Sequence, residues 1–138
     1  MPPAGAASET TLVTGGAGYI GSHAVLALRD AGRAVAVVDT LATGFRWAVP
    51  ADVPFSHGDS AVSDLIDRIV AEQGVSAIMP FAGSLLVPES VTKPLDYYRN
   101  NVVASCNLIE SAVRNGIPHV IFSSTAAVYG TPEIVPVS

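Results

Sequence analysis

The sequence predicts an α/β chain, doubly wound on a parallel sheet, and three observations carry that prediction. Short apolar runs alternate repeatedly with helical segments between residues 11 and 122. One run, Ala34-Val35-Ala36-Val37-Val38, is apolar without alternation, as a strand covered on both faces requires. A glycine-rich turn, Gly15-Gly16-Ala17-Gly18-Tyr19-Ile20-Gly21, joins the first strand to the first helix.

Each element follows from its own pattern. Thr11 to Thr14 is a short strand running into the glycines, and Tyr19 to Ala31 is a helix with Ile20, Ala24 and Leu28 on its apolar stripe. Gly32 stops that helix. After the second strand, Thr40 to Pro54 is loop-like, and Phe55-Ser56-His57 is a brief third strand ending at Gly58-Asp59. Val62 to Gln73 is a helix with Leu65, Ile69 and Val70 on one face, and Val75 to Met79 is the fourth strand. Ser84 to Lys93 is expected to be a loop, because Pro88 interrupts a polar stretch. Pro94 then opens a long helix to Arg114, proline being suited to a first helical turn. Val120-Ile121-Phe122 is the fifth strand, followed by Ser123-Ser124-Thr125. Residues 1–10 are expected to be a disordered tail, and residues 11–138 a nucleotide-binding domain whose sheet is incomplete at the C-terminal end, since a sixth strand usually follows.

Composition narrows the function. Across 138 residues, 49% are hydrophobic and 14% charged, which favours a folded core over disorder. The net charge of −5, without a Lys/Arg cluster, argues against nucleic acid and anionic membranes as partners. Cys106 is the single cysteine, so an internal disulfide is excluded and no CxxC metal pattern exists; it is expected to pack as a small apolar residue. His23, His57 and His119 are scattered and form no metal spacing, so no metal is expected. No apolar run approaches the roughly 20 residues of a membrane span, and the N-terminus lacks the basic and apolar regions of a secretory signal. A cytoplasmic location is the resulting expectation.

The candidate site lies beyond the carboxyl ends of the strands, where open parallel sheets bind ligands. At Gly15, Gly18, Tyr19, Ile20 and Gly21, backbone N–H groups and the positive end of a helix dipole would meet phosphates. Asp39 closes the second strand, where a carboxylate accepts from both hydroxyls of an adenosine ribose and repels a 2′-phosphate. Strand, glycine turn, helix and acid together point to NAD rather than NADP. A phosphate loop of the Gly-Lys-Ser/Thr type is excluded, because no such triplet follows. Asp59 is a candidate acceptor for an adenine amino group and, equally, a helix N-terminal cap. Phe81-Ala82-Gly83 offers small residues against which a cofactor can lie, and Ser123 to Thr125 offers hydroxyls for the reacting end or for capping the strand. Asn100-Asn101 breaks an apolar helix face, so at least one amide is expected to have a partner inside the fold.

Several blocks in order carry a resemblance. Thr14 to His23 (TGGAGYIGSH), Phe81 to Gly83, Val87 to Val91 (VPESV), Lys93 to Tyr98 (KPLDYY), Asn100 to Val102 and Ile121 to Gly130 (IFSSTAAVYG) resemble the UDP-glucose 4-epimerases of the extended short-chain dehydrogenase/reductase family. The resemblance spans residues 10–138 and implies a Rossmann fold with tightly held NAD. The implied chemistry is transient oxidation at C4 of a UDP-sugar, with hydride returned to the other face of a 4-keto sugar. It maps Tyr19, Ile20, Asp39, Asp59, Phe81, Ala82, Gly83 and Asn100 to cofactor contacts, with Ser60 flanking adenine and Ser123 beside the nicotinamide. It assigns Thr125 as the hydroxyl that assists the catalytic base. A homodimer is a further expectation for the complete enzyme.

The family's Tyr-x-x-x-Lys base is absent: none of Tyr19, Tyr97, Tyr98 and Tyr129 has a lysine four residues on. The chain is therefore expected to be inactive alone and to belong to an enzyme about twice as long. Thr40, Ser60, Pro80 and Leu85 also depart from the family's common residues. A 4,6-dehydratase of the same fold needs an acid and a base after the Ser/Thr, where this chain has Ala126-Ala127. A non-catalytic NAD-binding module remains the alternative from a different class.

Overall fold

The computed structural model describes residues 9–136. In chain order the strands and helices are β1 (Thr10–Thr14), α1 (Tyr19–Asp30), β2 (Val35–Asp39), β3 (Phe55–His57), α2 (Ser63–Gln73), β4 (Val75–Pro80), α3 (Val87–Thr92), α4 (Pro94–Tyr97), α5 (Ala104–Arg114) and β5 (His119–Val120). A π-helical segment, Tyr98–Val103, links α4 to α5, and 3₁₀ turns occupy Arg46–Ala48 and Ala126–Tyr129. The first eight residues of the expected tail lie outside the described residues, and β1 begins at Thr10, one residue before the predicted strand.

The sheet order is β3-β2-β1-β4-β5, and every neighbouring pair is parallel. Leu12 of β1 pairs with Ala36 on one side and Ile78 on the other. Because side chains alternate along a strand, β1 and β2 each feed two cores. Leu12, Ala36 and Val38 join Ile66 and Ile69 of α2 and Leu108 and Ala112 of α5. Val13, Val35 and Val37 join Val25 of α1, together with Val49 and Val53 of the loop after β2. Helices therefore cover both faces, as the unalternating β2 sequence predicts. Among the described residues no helix is long and apolar enough to cross a membrane.

The helices stop where left-handed residues release the chain. Gly32 (φ +71°), Gly74 (φ +62°) and Gly116 (φ +65°) follow α1, α2 and α5, a conformation glycine adopts without Cβ strain. After α5 the N–H of Gly116 donates to Val113 (3.1 Å) and that of Ile117 to Ala112 (2.9 Å), which satisfies carbonyls the helix leaves open.

Four expectations are corrected. The predicted loop Ser84–Lys93 contains α3, because Pro88 sits in the first turn of a helix, where its missing N–H costs nothing. The long helix from Pro94 is widened in its middle by the π segment, which holds Asn100 and Asn101. The fifth strand is shorter and earlier than Val120–Phe122, although the Ile121 N–H still donates to Ile78 at 2.9 Å. Among the described residues β5 is the edge of the sheet, so its exposed residues have a ladder partner on one side only. Cys106, expected to pack among apolar residues, is exposed on α5.

Candidate functional site

The strand order places the switch in winding direction between β1 and β4, and the crevice at the carboxyl ends of such strands is where this architecture binds ligands. The glycine turn and the segment after β4 meet there. The Phe81 N–H donates to the Thr14 carbonyl at 2.9 Å, and the Ala82 N–H reaches the Thr14 hydroxyl at 3.4 Å. Gly15 has φ +67°, and a Cβ on it would stand 2.5 Å from the Ala82 nitrogen. Phe81 and Ala82 thus press directly on the turn, while Gly83 faces the Asn101 amide.

The other glycines divide by what surrounds them. A Cβ on Gly21 would collide with the Gly15 carbonyl, and one on Gly16 would lie 2.6 Å from a Val37 methyl. Those two are glycine because helix and strand close on the turn. At Gly18 the added atom would meet only the Gly15 carbonyl oxygen, at 3.3 Å. The protein itself crowds Gly18 least, so its outer side is open to an incoming group. No side chain caps α1, and the N–H groups of its first turn are therefore available to an anion. Tyr19 and Ile20 stand exposed at that helix start.

Asp39 is buried at the end of β2. One carboxylate oxygen accepts from the Ala17 N–H of the glycine turn (2.9 Å), and the other from the Leu41 N–H (2.7 Å). Each oxygen keeps a second acceptor site, so hydroxyl groups can still bind. Sequence reasoning assigned this residue a ligand role and missed its grip on the turn.

Farther along the same edge, Asp59 and Asn100 come together. They line one open cavity of about 340 Å³ with Ala61, Asp96, Arg99, Val103 and Ala104. Asp59 also shapes the approach to α2: its carboxylate accepts from the Ala61 N–H (2.8 Å), and its carbonyl from the Val62 N–H (3.1 Å). Ser60 beside it is buried.

The two asparagines find their partner in Ser84, which meets the expectation from their place in an apolar helix. Asn100 Nδ2 donates to the Ser84 hydroxyl at 2.7 Å. Asn101 accepts from the Ser84 N–H (2.8 Å) and donates to its carbonyl (2.9 Å). The widened π turn is what presents adjacent amides to one residue, a common use of such bulges at working sites. Asn101 is not among the predicted contacts; the Asn-Asn pair was the signal that could have found it.

A second clasp, unforeseen from the sequence, holds α3. The Tyr97 hydroxyl accepts from the Leu86 N–H (3.1 Å) and lies 2.9 Å from the Leu86 carbonyl and 3.0 Å from Glu89 Oε2. Lys93 Nζ donates to Glu89 Oε1 at 3.1 Å. The Lys93 and Tyr97 bonds hold Glu89 below the usual carboxylate range, and Glu89 in turn lifts Lys93. Shielding from water, with the Glu89 bond second, raises Tyr97.

Ser123 and Thr125 are exposed on the segment after β5, at the same carboxyl edge of the sheet. The Thr125 carbonyl accepts from the Val128 N–H at 3.3 Å. Among the described residues no cluster of His, Cys, Asp and Glu has metal-binding geometry.

Comparison with known proteins agrees with this geometry. The family model described as the NAD dependent epimerase/dehydratase family matches residues 11–138. The chain is similar to the UDP-glucose 4-epimerase of Azospirillum brasilense, 56% identical over 132 residues, which cover 96% of this chain and 38% of that protein. It is 43% identical to the UDP-glucose 4-epimerase of Corynebacterium glutamicum over 92% of this chain and 38% of the relative. Among solved structures, the UDP-glucose 4-epimerase from Brucella ovis in complex with NAD superposes with a TM-score of 0.86 at 38% identity, covering 94% of this chain and 39% of that one. The chain thus spans well under half the length of the relatives it matches.

Proposed function

Since the chain belongs to the NAD dependent epimerase/dehydratase family, we propose that it supplies the NAD-binding part of a UDP-glucose 4-epimerase, interconverting UDP-glucose and UDP-galactose. The observation that carries this reading is the buried Asp39 carboxylate bonded to the glycine turn at the β1/β4 crevice. The residues fit NAD: least-crowded Gly18, an uncapped helix start and an acid one strand away match its pyrophosphate and adenosine ribose. When bound, NAD supplies the hydride acceptor and donor for C4 of the sugar.

In this reading the N–H groups of Tyr19, Ile20 and Gly21 hold the pyrophosphate, while Gly15 and Gly18, whose N–H groups donate to the Val38 and Gly15 carbonyls, leave it room to approach. Asp39 accepts from the ribose hydroxyls and excludes a 2′-phosphate by charge. Asp59, with Ser60 behind it, faces the adenine, and Asn100 orients the Ser84 loop beside it. Phe81, Ala82 and Gly83 form the wall against which the cofactor lies. Ser123 orients the nicotinamide end. Thr125 acts through its hydroxyl, relaying the proton of the sugar C4 hydroxyl to the base.

That base, the Tyr-x-x-x-Lys of the family, does not occur in these 138 residues. Hydride transfer from a C4 that keeps its hydroxyl proton leads to a high-energy protonated ketone. The chain alone is therefore inactive, and the UDP-sugar site and any homodimer contact belong to an enzyme of the relatives' length. A dehydratase reading is disfavoured because Ala126-Ala127 carries no group able to move a proton. Assaying UDP-galactose conversion to UDP-glucose tests the reading. No turnover is expected from this chain with NAD added, and turnover from a version extended through a downstream Tyr-x-x-x-Lys. Robust turnover by the 138-residue chain would overturn the role given to the missing base.

A further inference from the structure

We propose that Asp39 is a positioning residue for the phosphate end of the site: its carboxylate fixes the glycine turn before a ligand arrives. The proposal deepens the cofactor reading above and rests on it. Four contacts carry it. Asp39 Oδ2 accepts from the Ala17 N–H, 22 residues earlier, while Oδ1 accepts from the Leu41 N–H. The Ala17 carbonyl in turn accepts from the Phe45 N–H at 3.0 Å. Gly44 lies so close to Ala17 that an added Cβ would stand 2.8 Å from its carbonyl carbon and oxygen.

One residue of the turn is therefore clamped through both of its peptide groups, by a buried charge at its N–H and by the loop after β2 at its carbonyl. The same carboxylate holds that loop through Leu41, whose φ of +57° is uncommon for a branched residue. Turn and loop form a single unit with Asp39 as the joint. Ala17 lies immediately before Gly18, the open position of the turn, and two residues before the first residue of α1. Fixing Ala17 thus fixes the direction of the N–H groups that would meet a pyrophosphate. A charge-assisted bond is the suitable means, since such bonds are shorter and stronger than neutral ones.

Alanine at this position separates the roles. It removes both carboxylate oxygens, so neither the Ala17 nor the Leu41 N–H keeps its side-chain acceptor. Wild-type and Asp39→Ala chains are titrated with adenosine, which has the ribose and no phosphate, and with ADP. If Asp39 serves only the ribose, both ligands lose the same factor. The proposal expects ADP to lose roughly 10-fold more than adenosine, the scale of a lost bond to a charged group. Removing a negative charge by itself favours the phosphates, so simple electrostatics works in the opposite direction. Equal losses, or a smaller loss for ADP, overturn the proposal.

Amide hydrogen exchange on the ligand-free chain gives a readout independent of cofactor. The Ala17 N–H should be protected in wild type and exchange at least roughly 10-fold faster in Asp39→Ala, as expected for loss of a bond to a charged acceptor. The Val37 N–H, bonded to Pro54 at 2.9 Å, should be unchanged. A wild-type Ala17 amide exchanging like an open loop overturns the proposal even if the variant fails to fold. Failure of the wild-type chain to bind either ligand is a separate result, which contradicts the cofactor reading and leaves the exchange comparison to decide the positioning role.

Discussion

Replacing Gly15 with alanine tests the packing of the site against a matched control. Gly15 and Gly32 share almost the same backbone conformation, φ +67° and +71°. Alanine at either position carries the left-handed penalty of roughly 1–2 kcal/mol. The surroundings differ: nothing lies within 4 Å of a Cβ on Gly32. On Gly15 the Cβ would sit 2.5 Å from Ala82 N, 2.7 Å from Phe81 C and 2.8 Å from Ala82 Cα, all of them backbone. That backbone is tied to β1 through the Phe81 N–H bond to Thr14, so it cannot retreat without losing the bond. Overpacking of this kind adds about 1–3 kcal/mol. Gly15→Ala should therefore destabilise by ~2–5 kcal/mol in all, and Gly32→Ala by ~1–2 kcal/mol. For a chain of this size, with about 4 °C in Tm per kcal/mol, Gly15→Ala should melt roughly 4–12 °C below Gly32→Ala. Thermal unfolding followed by circular dichroism measures the gap. Equal melting temperatures would refute the claim that Phe81 and Ala82 close directly on the turn.

Other consequences are testable in the same way. Calorimetric titration should show NAD binding more tightly than NADP, and Asp39→Ala should narrow the gap by relieving repulsion of the 2′-phosphate; equal affinities in the wild type would refute the ribose assignment. In an extended, active enzyme Thr125→Val should lower turnover by roughly 10²–10⁴-fold while bound NAD persists, and unchanged turnover would leave Thr125 a packing role. Asp67 should make stability pH-dependent. Shielding from water pulls it upward, but hydrogen bonds from Arg114 and Asn115 and the Arg114 charge outweigh this and hold it below the usual carboxylate range. A carboxylate depressed by folding adds stability that is present at neutral pH and lost as pH falls through its folded value. Denaturant titrations of wild type and Arg114→Ala should therefore differ at neutral pH and converge in strong acid; a constant difference would refute the linkage.

Much of the fold was legible because burial leaves a direct trace in composition. The unalternating Val35–Val38 run announced a strand covered on both faces, and it lies between two cores. Gly32 marked the end of the first helix, and Gly74 and Gly116 stand in the same way after α2 and α5, each at positive φ. What escaped depends on contacts between segments distant in sequence. Pro88 has the same sequence signature in a loop as in the first turn of α3, and only the Tyr97 clasp on Leu86 and Glu89 shows which applies. The Asn100-Asn101 pair signalled an internal partner without revealing that one residue, Ser84, serves both. Asp39 was recognisable by its place after β2, but its hold on Ala17 requires the turn and the strand end to be superimposed. The fifth strand was placed late because it was read from the apolar run Val120-Ile121-Phe122, whereas pairing with β4 begins at the polar His119. Val120 and Ile121 are exposed at the edge of the sheet, and Phe122 is more so.

Mapping NAD onto the folded chain by amide chemical shifts tests the central claim most directly. Titration of the isotope-labelled chain should move the amides of Gly15, Gly18, Tyr19, Ile20 and Gly21 most strongly. Those of Asp39, Asp59, Ser60, Phe81, Ala82, Gly83, Asn100 and Ser123 should follow. Gly32, Gly74 and Gly116, beyond the C-terminal ends of helices that run back across the sheet, should stay in place. Shifts at those three glycines with a silent glycine turn, or no saturable shifts at all, would contradict the assignment of this edge of the sheet to NAD.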